Sequence, residues 1–153
     1  MTELRELYQE IILDHNRSPK NYRRIEDAHH HLEGYNPLCG DRLEVYLNVE
    51  DSVVTDISFQ GEGCAISKAS ASMMTDIVKG KTISEIEDIF RRFQGMVTDS
   101  LDATVDESLG KLTVLAGVKK YPMRIKCSTL AWHTMYGALT ENKDLDDHEI
   151  ILS

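Results

Sequence analysis

The sequence predicts an α+β fold: a small antiparallel sheet with helices packed on one face. The first residues have helical periodicity, two stretches of alternating apolar and polar residues follow, and the second half of the chain returns to helical patterns. Strands and helices segregated in this order are typical of α+β proteins. The 153 residues suit one domain. We place that domain at residues 1–142 and expect an acidic, flexible C-terminal tail at 143–153.

The first helix is predicted by one apolar face in the stretch LRELYQEIILDHN. The residues on that face are Leu4, Leu7, Tyr8, Ile11 and Ile12. The helix is expected to end near Asn16, because Pro19 and polar residues follow it. Residues 20–36 have no clear period, so we expect irregular structure there.

The strands are predicted from Asp41 onward, where Leu43, Val45, Leu47 and Val49 alternate with Arg42, Glu44, Tyr46 and Asn48. This alternation indicates a half-buried strand. A turn at EDS leads to a second strand whose apolar positions are Val53, Ile57 and Phe59, so the two should form an antiparallel hairpin. The glycines of QGEGC end the second strand and permit tight backbone conformations.

Helices account for most of the remaining chain. One opens at Cys64 and stops at Gly80, and a second covers TISEIEDIFRRFQG. The next stretch is less regular and is expected to contain a short helix ending near Gly117. The last long helix follows Pro122. The expected core residues in these helices are Met73, Met74, Leu130, Trp132, Met135 and Leu139.

Composition argues against several classes of function. The net charge of −9 makes nucleic-acid binding a poor expectation, because phosphates require a basic surface. No apolar run is long enough for a membrane span, and the N-terminus lacks the layout of a secretory signal. We therefore expect a cytoplasmic protein whose thiols stay reduced. Three cysteines cannot all pair within one chain, which directs attention to reactivity or metal binding.

The three cysteines are predicted to converge. Cys39 precedes the first strand and Cys64 follows the second, so a hairpin places both at one end of the sheet. Cys127 lies in the first turns of the last helix and joins them if that helix begins at the same end. Helix N-termini and the nearby Arg124 and Lys126 would favour thiolates.

Asp41 has the reach to act as a fourth ligand beside the three thiolates. Such a donor set suits zinc or an iron–sulfur cluster. Replacing one thiolate with a carboxylate suggests a site that exchanges ligands. The alternative is that three scattered cysteines without a CxxC motif are small buried apolar residues.

The histidines are weaker candidates. The run His29, His30 and His31 can bind metal, but a surface position is the more usual role of such a tract. His133 lies six positions after Cys127 and should face away from it. We interpret His15 as a cation at the C-terminus of the first helix.

Three phrases together resemble the U-type iron–sulfur cluster assembly proteins, the IscU/SufU group that shares the NifU N-terminal-like domain: NPLCGDRLEVYL, FQGEGCAISKASASMM and RIKCSTLAW. The opening LYQEIILDHNRSPKN resembles the start of that family, and the resemblance covers roughly residues 5–142. It implies a compact α+β domain with Cys39, Asp41, Cys64 and Cys127 as metal or cluster ligands, and with Asp41 as the labile oxygen ligand.

Two departures indicate the SufU branch. The LPPVK segment that a specialised Hsp70 chaperone reads in IscU-type proteins is absent, so no such contact is expected, and Lys126 stands where that group has a histidine. The long interval between Cys64 and Cys127 resembles the insertion typical of SufU. For this branch the resemblance implies a zinc-dependent sulfur relay: Cys39 accepts persulfide sulfur from a PLP-dependent cysteine desulfurase of the SufS type and stimulates its turnover. Sulfur would then pass to downstream iron–sulfur assembly components.

Three alternative functions would use some or all of the same residues. A scaffold would assemble a [2Fe–2S] cluster on the same ligands, with iron instead of zinc, and pass it to apo-proteins. A structural zinc module or a Cys–His hydrolase would also use the thiols. Arg124 would hold an anionic sulfur or simply be a solvated cation. The sequence leaves the working metal, the oligomeric state and the partner interface undetermined.

Overall fold

The computed structural model describes residues 2–37, 40–98, 107–140 and 149–151. Its elements, in chain order, are α1 (Thr2–Arg17), β1 (His30–Asn36), β2 (Asp41–Glu50), β3 (Val53–Glu62), α2 (Ala65–Val78), α3 (Ile83–Thr98), a 3₁₀ segment (Glu107–Lys120), α4 (Pro122–Leu139) and β4 (Glu149–Ile151). The predicted α+β class is confirmed. Among these residues, no helix is long and apolar enough to cross a membrane.

The sheet has the strand order β3–β2–β1–β4. β2 pairs antiparallel with both β1 and β3, which confirms the predicted hairpin. Arg42 lies opposite Glu62, so β2 begins where β3 ends. An irregularity between Asn48 and Val49 interrupts the alternation, and Val49 is half-buried.

The expectation of irregular structure over residues 20–36 was wrong at β1. Leu32, Gly34 and Asn36 are buried in alternation, as in any half-buried strand. Only one of the three is a large apolar residue, so the period was invisible in a hydrophobicity pattern. Gly34 is required by packing: a Cβ at this position would lie 1.9 Å from Thr134 Oγ1 of α4.

β4 adds a parallel pair to a sheet that was predicted to be antiparallel. Glu149–Ile151 pair with Glu33–Tyr35 along the free edge of β1. Strand edges offer unpaired N–H and C=O groups, and the isoleucines have high strand propensity. The structure therefore has a strand inside the range expected to be a flexible tail. Residues 141–148 lie outside the described residues, and the domain boundary at 142 stays a prediction.

The core lies between the sheet and the helices that cover one of its faces. Alternate residues of β2, together with Ile57 and Phe59 of β3, are fully buried and face α2 and α4. All six predicted helical core residues are buried: Met73, Met74, Leu130, Trp132, Met135 and Leu139. On the other face of the sheet, His31 stacks on Tyr46 with ring centroids 4.5 Å apart.

His15 is not the helix-terminal cation that the sequence suggested. It is only 8% exposed, and its Nδ1 lies 2.7 Å from Ser72 Oγ of α2. Burial lowers the pKa of His15, and the positive charges of Lys111 and Lys20 lower it further, although Asp76 and Asp14 oppose them. The imidazole therefore serves as a neutral hydrogen-bonding group between α1 and α2.

We expect Gly34→Ala to destabilise the protein by at least about 1–3 kcal/mol, because the new methyl group overpacks the α4 contact. Chemical denaturation measures the loss. Gly117→Ala is the control, because no atom lies within 4 Å of a Cβ at that position. Removing the clashing oxygen with Thr134→Ala should partly restore stability to Gly34→Ala; purely additive losses would contradict this packing explanation.

His15 should make stability depend on pH. Its folded pKa lies below the ordinary value of 6.5, so the unfolded chain binds more protons as the pH falls. The contribution of His15 to the free energy of unfolding should therefore be fully present above pH 6.5. It should decrease as the pH falls toward the folded pKa of His15. Denaturation of metal-free protein should show a weaker decrease in His15→Gln than in the unchanged chain. Parallel pH curves for the two proteins would refute the assignment.

Candidate metal and thiol site

Cys64 caps the N-terminus of α2. Its backbone is extended, with φ −69° and ψ 166°, and its sulfur accepts a hydrogen bond from the Ser67 backbone N–H at 3.4 Å. An N-cap side chain satisfies one of the amides that a helix leaves without a partner. The helix dipole and this amide both favour a negatively charged sulfur. The prediction that Cys64 lies at the start of a helix is thus confirmed, and the structure makes it the cap residue.

Asp41 is the first residue of β2 and is fully buried. Its Oδ1 accepts a hydrogen bond from the Cys64 backbone N–H at 2.8 Å, and its Oδ2 lies 4.0 Å from the Cys64 sulfur. This hydrogen bond joins the start of β2 to the start of α2. It also gives the buried carboxylate a partner in the metal-free chain.

Two glycines at the end of β3 allow this close approach. A Cβ on Gly63 would lie 2.7 Å from Asp41 Oδ1, and one on Gly61 would lie 2.1 Å from the Arg42 carbonyl oxygen. Gly61 also has φ +147°, which favours glycine. Gly40 differs, because nothing lies within 4 Å of a Cβ there; its φ of +74° serves the turn between β1 and β2.

Cys127 is fully buried in the second turn of α4 and lies beside Cys64. The pKa of Cys64 is lowered to about 6, and the largest cause is a hydrogen bond from the Cys127 thiol. The Ser67 amide lowers the pKa of Cys64 further, whereas burial and the negative charge of Asp41 raise it. Arg124 lies one turn earlier on α4 and is exposed. Its guanidinium hydrogen-bonds both sulfurs, and the negative charges of Cys64 and Cys127 raise the pKa of Arg124.

The structure therefore brings together three of the four predicted ligands. One ligand atom from each of Asp41, Cys64 and Cys127 lies within 4.8 Å of the others, and neither cysteine forms a disulfide. Within the described part of the chain, this is the one such grouping of histidine, cysteine and acidic side chains. Cys39 lies outside the described residues, so its position in the site stays a prediction.

The histidines fall elsewhere. His29 and His31 are exposed; the Nδ1 of His29 accepts from the Val49 amide at 3.1 Å, and the Nε2 of His31 pairs with Glu44 at 3.1 Å. His133 packs against Phe90 of α3 with ring centroids 5.1 Å apart, and its burial there lowers the pKa of His133. A Cys–His catalytic pair therefore has no support among the described residues.

The donor set fits a zinc ion. Zinc–sulfur bonds of about 2.3 Å and zinc–oxygen bonds of about 2.1 Å in a tetrahedron place neighbouring ligand atoms roughly 3.5–3.8 Å apart. Atoms within 4.8 Å of one another can reach that spacing by small rotations of the side chains. Two thiols and a carboxylate leave one tetrahedral position, for which Cys39 is the predicted ligand.

Sequence reasoning missed Tyr22, which braces the site from outside. Its hydroxyl donates to the Gly61 carbonyl at 2.8 Å and accepts from the Gly61 N–H at 3.2 Å, while its ring packs edge-on against Phe59. No periodicity or motif marked this residue, because its partners are backbone atoms of a distant strand.

Cys127→Ala should raise the pKa of Cys64 from about 6 toward its ordinary value of 9.0, because the strongest stabilising hydrogen bond is lost. At pH 7, alkylation of Cys64 by iodoacetamide should slow at least about tenfold in the metal-free protein, since only the thiolate reacts. Peptide mass spectrometry distinguishes Cys64 from the other cysteines.

Asp41→Asn is the matched control. It keeps an oxygen acceptor for the Cys64 amide but removes the negative charge that raises the pKa of Cys64. The two variants should therefore shift the pH profile of alkylation in opposite directions. Shifts in the same direction would show that the causes have been assigned incorrectly.

Comparisons with known proteins show the family of the chain. Residues 7–128 match the family model described as NifU-like N terminal domain. A Bacillus subtilis protein named zinc-dependent sulfurtransferase SufU is 40% identical over 130 residues, which cover 84% of this chain and 86% of the relative. A Thermotoga maritima protein named iron–sulfur cluster assembly scaffold protein IscU is 41% identical over 134 residues, 87% and 92% of the two chains.

A solved structure of a SufU protein has the same fold. The SufU scaffold protein from Fervidobacterium islandicum superposes with a TM-score of 0.78 at 37% identity, and the match covers 85% of this chain and 94% of that one. The family match spans well over half of the chain. The chain therefore belongs to the NifU-like N-terminal domain family, the U-type iron–sulfur cluster assembly proteins.

Proposed function

We propose that this protein is a zinc-dependent sulfur acceptor and relay in iron–sulfur cluster assembly. It takes persulfide sulfur from a PLP-dependent cysteine desulfurase of the SufS type and thereby raises the turnover of that enzyme. The observation that carries the proposal is the cluster of Asp41, Cys64 and Cys127. The name of the Bacillus subtilis relative supports both zinc and sulfur transfer.

Cys39, Asp41, Cys64 and Cys127 are the residues that would hold the metal. Cys39 is two positions before Asp41, so its Cα is within about 7 Å of the Asp41 Cα by chain connectivity alone. A bound zinc ion would keep its thiol ligands deprotonated at neutral pH and release a nucleophilic thiolate when one ligand leaves.

Asp41 is suited to a ligand position that opens. Its Oδ1 already has the Cys64 N–H as a partner at 2.8 Å. A carboxylate that leaves a metal therefore keeps one hydrogen bond and does not become an unpaired buried charge, which would be costly. Exchange at this position then requires little rearrangement of β2.

The sulfur step resembles thiol–disulfide exchange. The Cys39 thiolate attacks the outer sulfur of the cysteine persulfide on the desulfurase. A new S–S bond forms on Cys39, the S–S bond of the donor persulfide breaks, and its electron pair leaves with the desulfurase thiolate. Arg124, which contacts the sulfurs of Cys64 and Cys127, would balance the negative charge that enters the site. The step requires reduced thiols, in keeping with a cytoplasmic location.

A scaffold for a [2Fe–2S] cluster is the second candidate. It uses the same ligands, and the Thermotoga maritima relative carries that name. Lys126, where the scaffold group has a histidine, favours the relay. Under either function, the partners would be a cysteine desulfurase and downstream assembly components.

The test is desulfurase turnover. Zinc-loaded protein added to a SufS-type desulfurase with L-cysteine should increase alanine production, and mass spectrometry should find the extra sulfur atom on Cys39. Cys39→Ser should return alanine production to the rate of the desulfurase alone, because the attacking thiolate is absent.

His29→Ala is the control, since this side chain is exposed and does not belong to the cluster of Asp41, Cys64 and Cys127. It should stimulate like the unchanged protein. Unchanged alanine production with the zinc-loaded protein would overturn the relay. If the same preparation then built a [2Fe–2S] cluster from iron and sulfide, with its visible absorption, the scaffold function would replace it.

A further inference from the structure

Ser70 occupies the contact between α2 and α4. Its hydroxyl donates to the Ser128 carbonyl oxygen at 2.5 Å, and its oxygen accepts from the Trp132 indole N–H at 3.2 Å. All three residues are fully buried. The Ser70 hydroxyl is the donor in one of these bonds and the acceptor in the other, so neither partner can move away without leaving a buried polar group unsatisfied.

The indole end of this connection is itself held in place. Phe93 of α3 packs on Trp132 with ring centroids 5.0 Å apart, and Phe90 stacks on it at 6.1 Å. Removing a buried indole or hydroxyl partner would therefore not be compensated by a simple rotation. The connection from Trp132 through Ser70 to Ser128 is a fixed brace between two helices.

This brace lies close to the thiols along both helices. Ser128 directly follows Cys127, and Ser70 is six residues, or roughly 9 Å, along α2 from Cys64. Ser70 therefore ties α2 to the part of α4 that immediately follows Cys127, near the point where Cys64 meets Cys127. A change in the spacing of the two helices at Ser70 would separate the two sulfurs.

Ser72 offers an internal comparison. It is equally buried on the same helix, and its hydroxyl bonds His15 and the Lys20 N–H, each at 2.7 Å. These partners belong to α1 and to the segment after it, not to α4. Both serine hydroxyls therefore form buried hydrogen bonds, but Ser70 connects α2 to α4, whereas Ser72 connects α2 to α1 and the segment that follows it.

We propose that Ser70, with Trp132, is a positioning residue that sets the distance between Cys64 and Cys127. The brace makes these two sulfurs the fixed half of the site, so ligand exchange is confined to the ligands carried by the β1–β2 connection and the start of β2. The inference about which ligands exchange during sulfur transfer rests on the proposed function. The inference that Ser70 sets the distance between the two sulfurs does not depend on it.

Ser70→Ala and Ser72→Ala provide the test in the full-length protein. Both should lower the melting temperature, because each leaves buried polar partners without a bond. Zinc affinity, measured by competition with a chromophoric chelator, should fall about tenfold or more in Ser70→Ala and stay within about twofold in Ser72→Ala. The visible spectrum of the cobalt-substituted protein should change only in Ser70→Ala. Equal effects of the two variants on affinity and spectrum would overturn the proposal.

Trp132→Phe tests the brace if Ser70→Ala does not fold. It keeps the aromatic packing but removes the indole N–H, so it should change the cobalt spectrum and lower the zinc affinity relative to the unchanged protein. An unchanged spectrum and affinity in this variant would refute the role of the indole.

A metal-free arm separates this proposal from the proposed function. Phenylarsine oxide bridges two thiols that lie close together, releasing water as two arsenic–sulfur bonds form. With Cys39→Ser as the background, Ser70→Ala should bind it about tenfold more weakly and Ser72→Ala should bind it normally. Equal binding would disprove the brace even if the relay exists. If Ser70→Ala binds phenylarsine oxide more weakly as expected but the zinc-loaded protein does not stimulate the desulfurase, the relay is disproved and the brace is retained.

Discussion

The hydrogen bond from the Cys64 amide to Asp41 is the contact on which the site depends. It joins the first residue of β2 to the residue that caps α2, although the two are 23 positions apart. The bond is possible because Gly61 and Gly63 let the end of β3 pass within contact distance of Asp41 and Arg42. Without it, the fully buried carboxylate would lose its 2.8 Å hydrogen bond, and burying a charged group with fewer partners is costly.

Helix α2 connects this contact to the rest of the fold. Its buried small residues allow α1 to approach on one side and α4 on another, and its serines supply the hydrogen bonds at both contacts. Ser72 holds the neutral His15, while Ser70 holds Trp132 and Ser128. An interior made only of larger apolar residues would hold these helices farther apart and would specify their positions less strictly. The helix thereby determines where two of the thiols lie.

The site combines two thiols on packed helices with a carboxylate at the start of a strand. Cys64 and Cys127 stand on helices, and their mutual hydrogen bond together with the Ser67 amide keeps Cys64 acidic. Asp41 has a protein partner whether or not it binds a metal. Arg124 reaches both sulfurs from an exposed position, so charge in the site can be balanced without rebuilding the core. These features suit a site whose ligand set changes during its work.

The sequence by itself determined the α+β class, the β2–β3 hairpin and the helical core, because these depend on local periodicity that needs no partner. It also indicated that Cys64 lies at the start of a helix, and its motifs identified the family. Only the tertiary structure decided what depends on distant contacts. β1 escaped detection because Gly34 and Asn36 face a helix 100 residues away, and His15 lost its expected charge because α2 and two lysines surround it. The sequence predicted that Asp41, Cys64 and Cys127 converge, but the distances between them depend on how three elements pack together, because no short-range pattern encodes those distances.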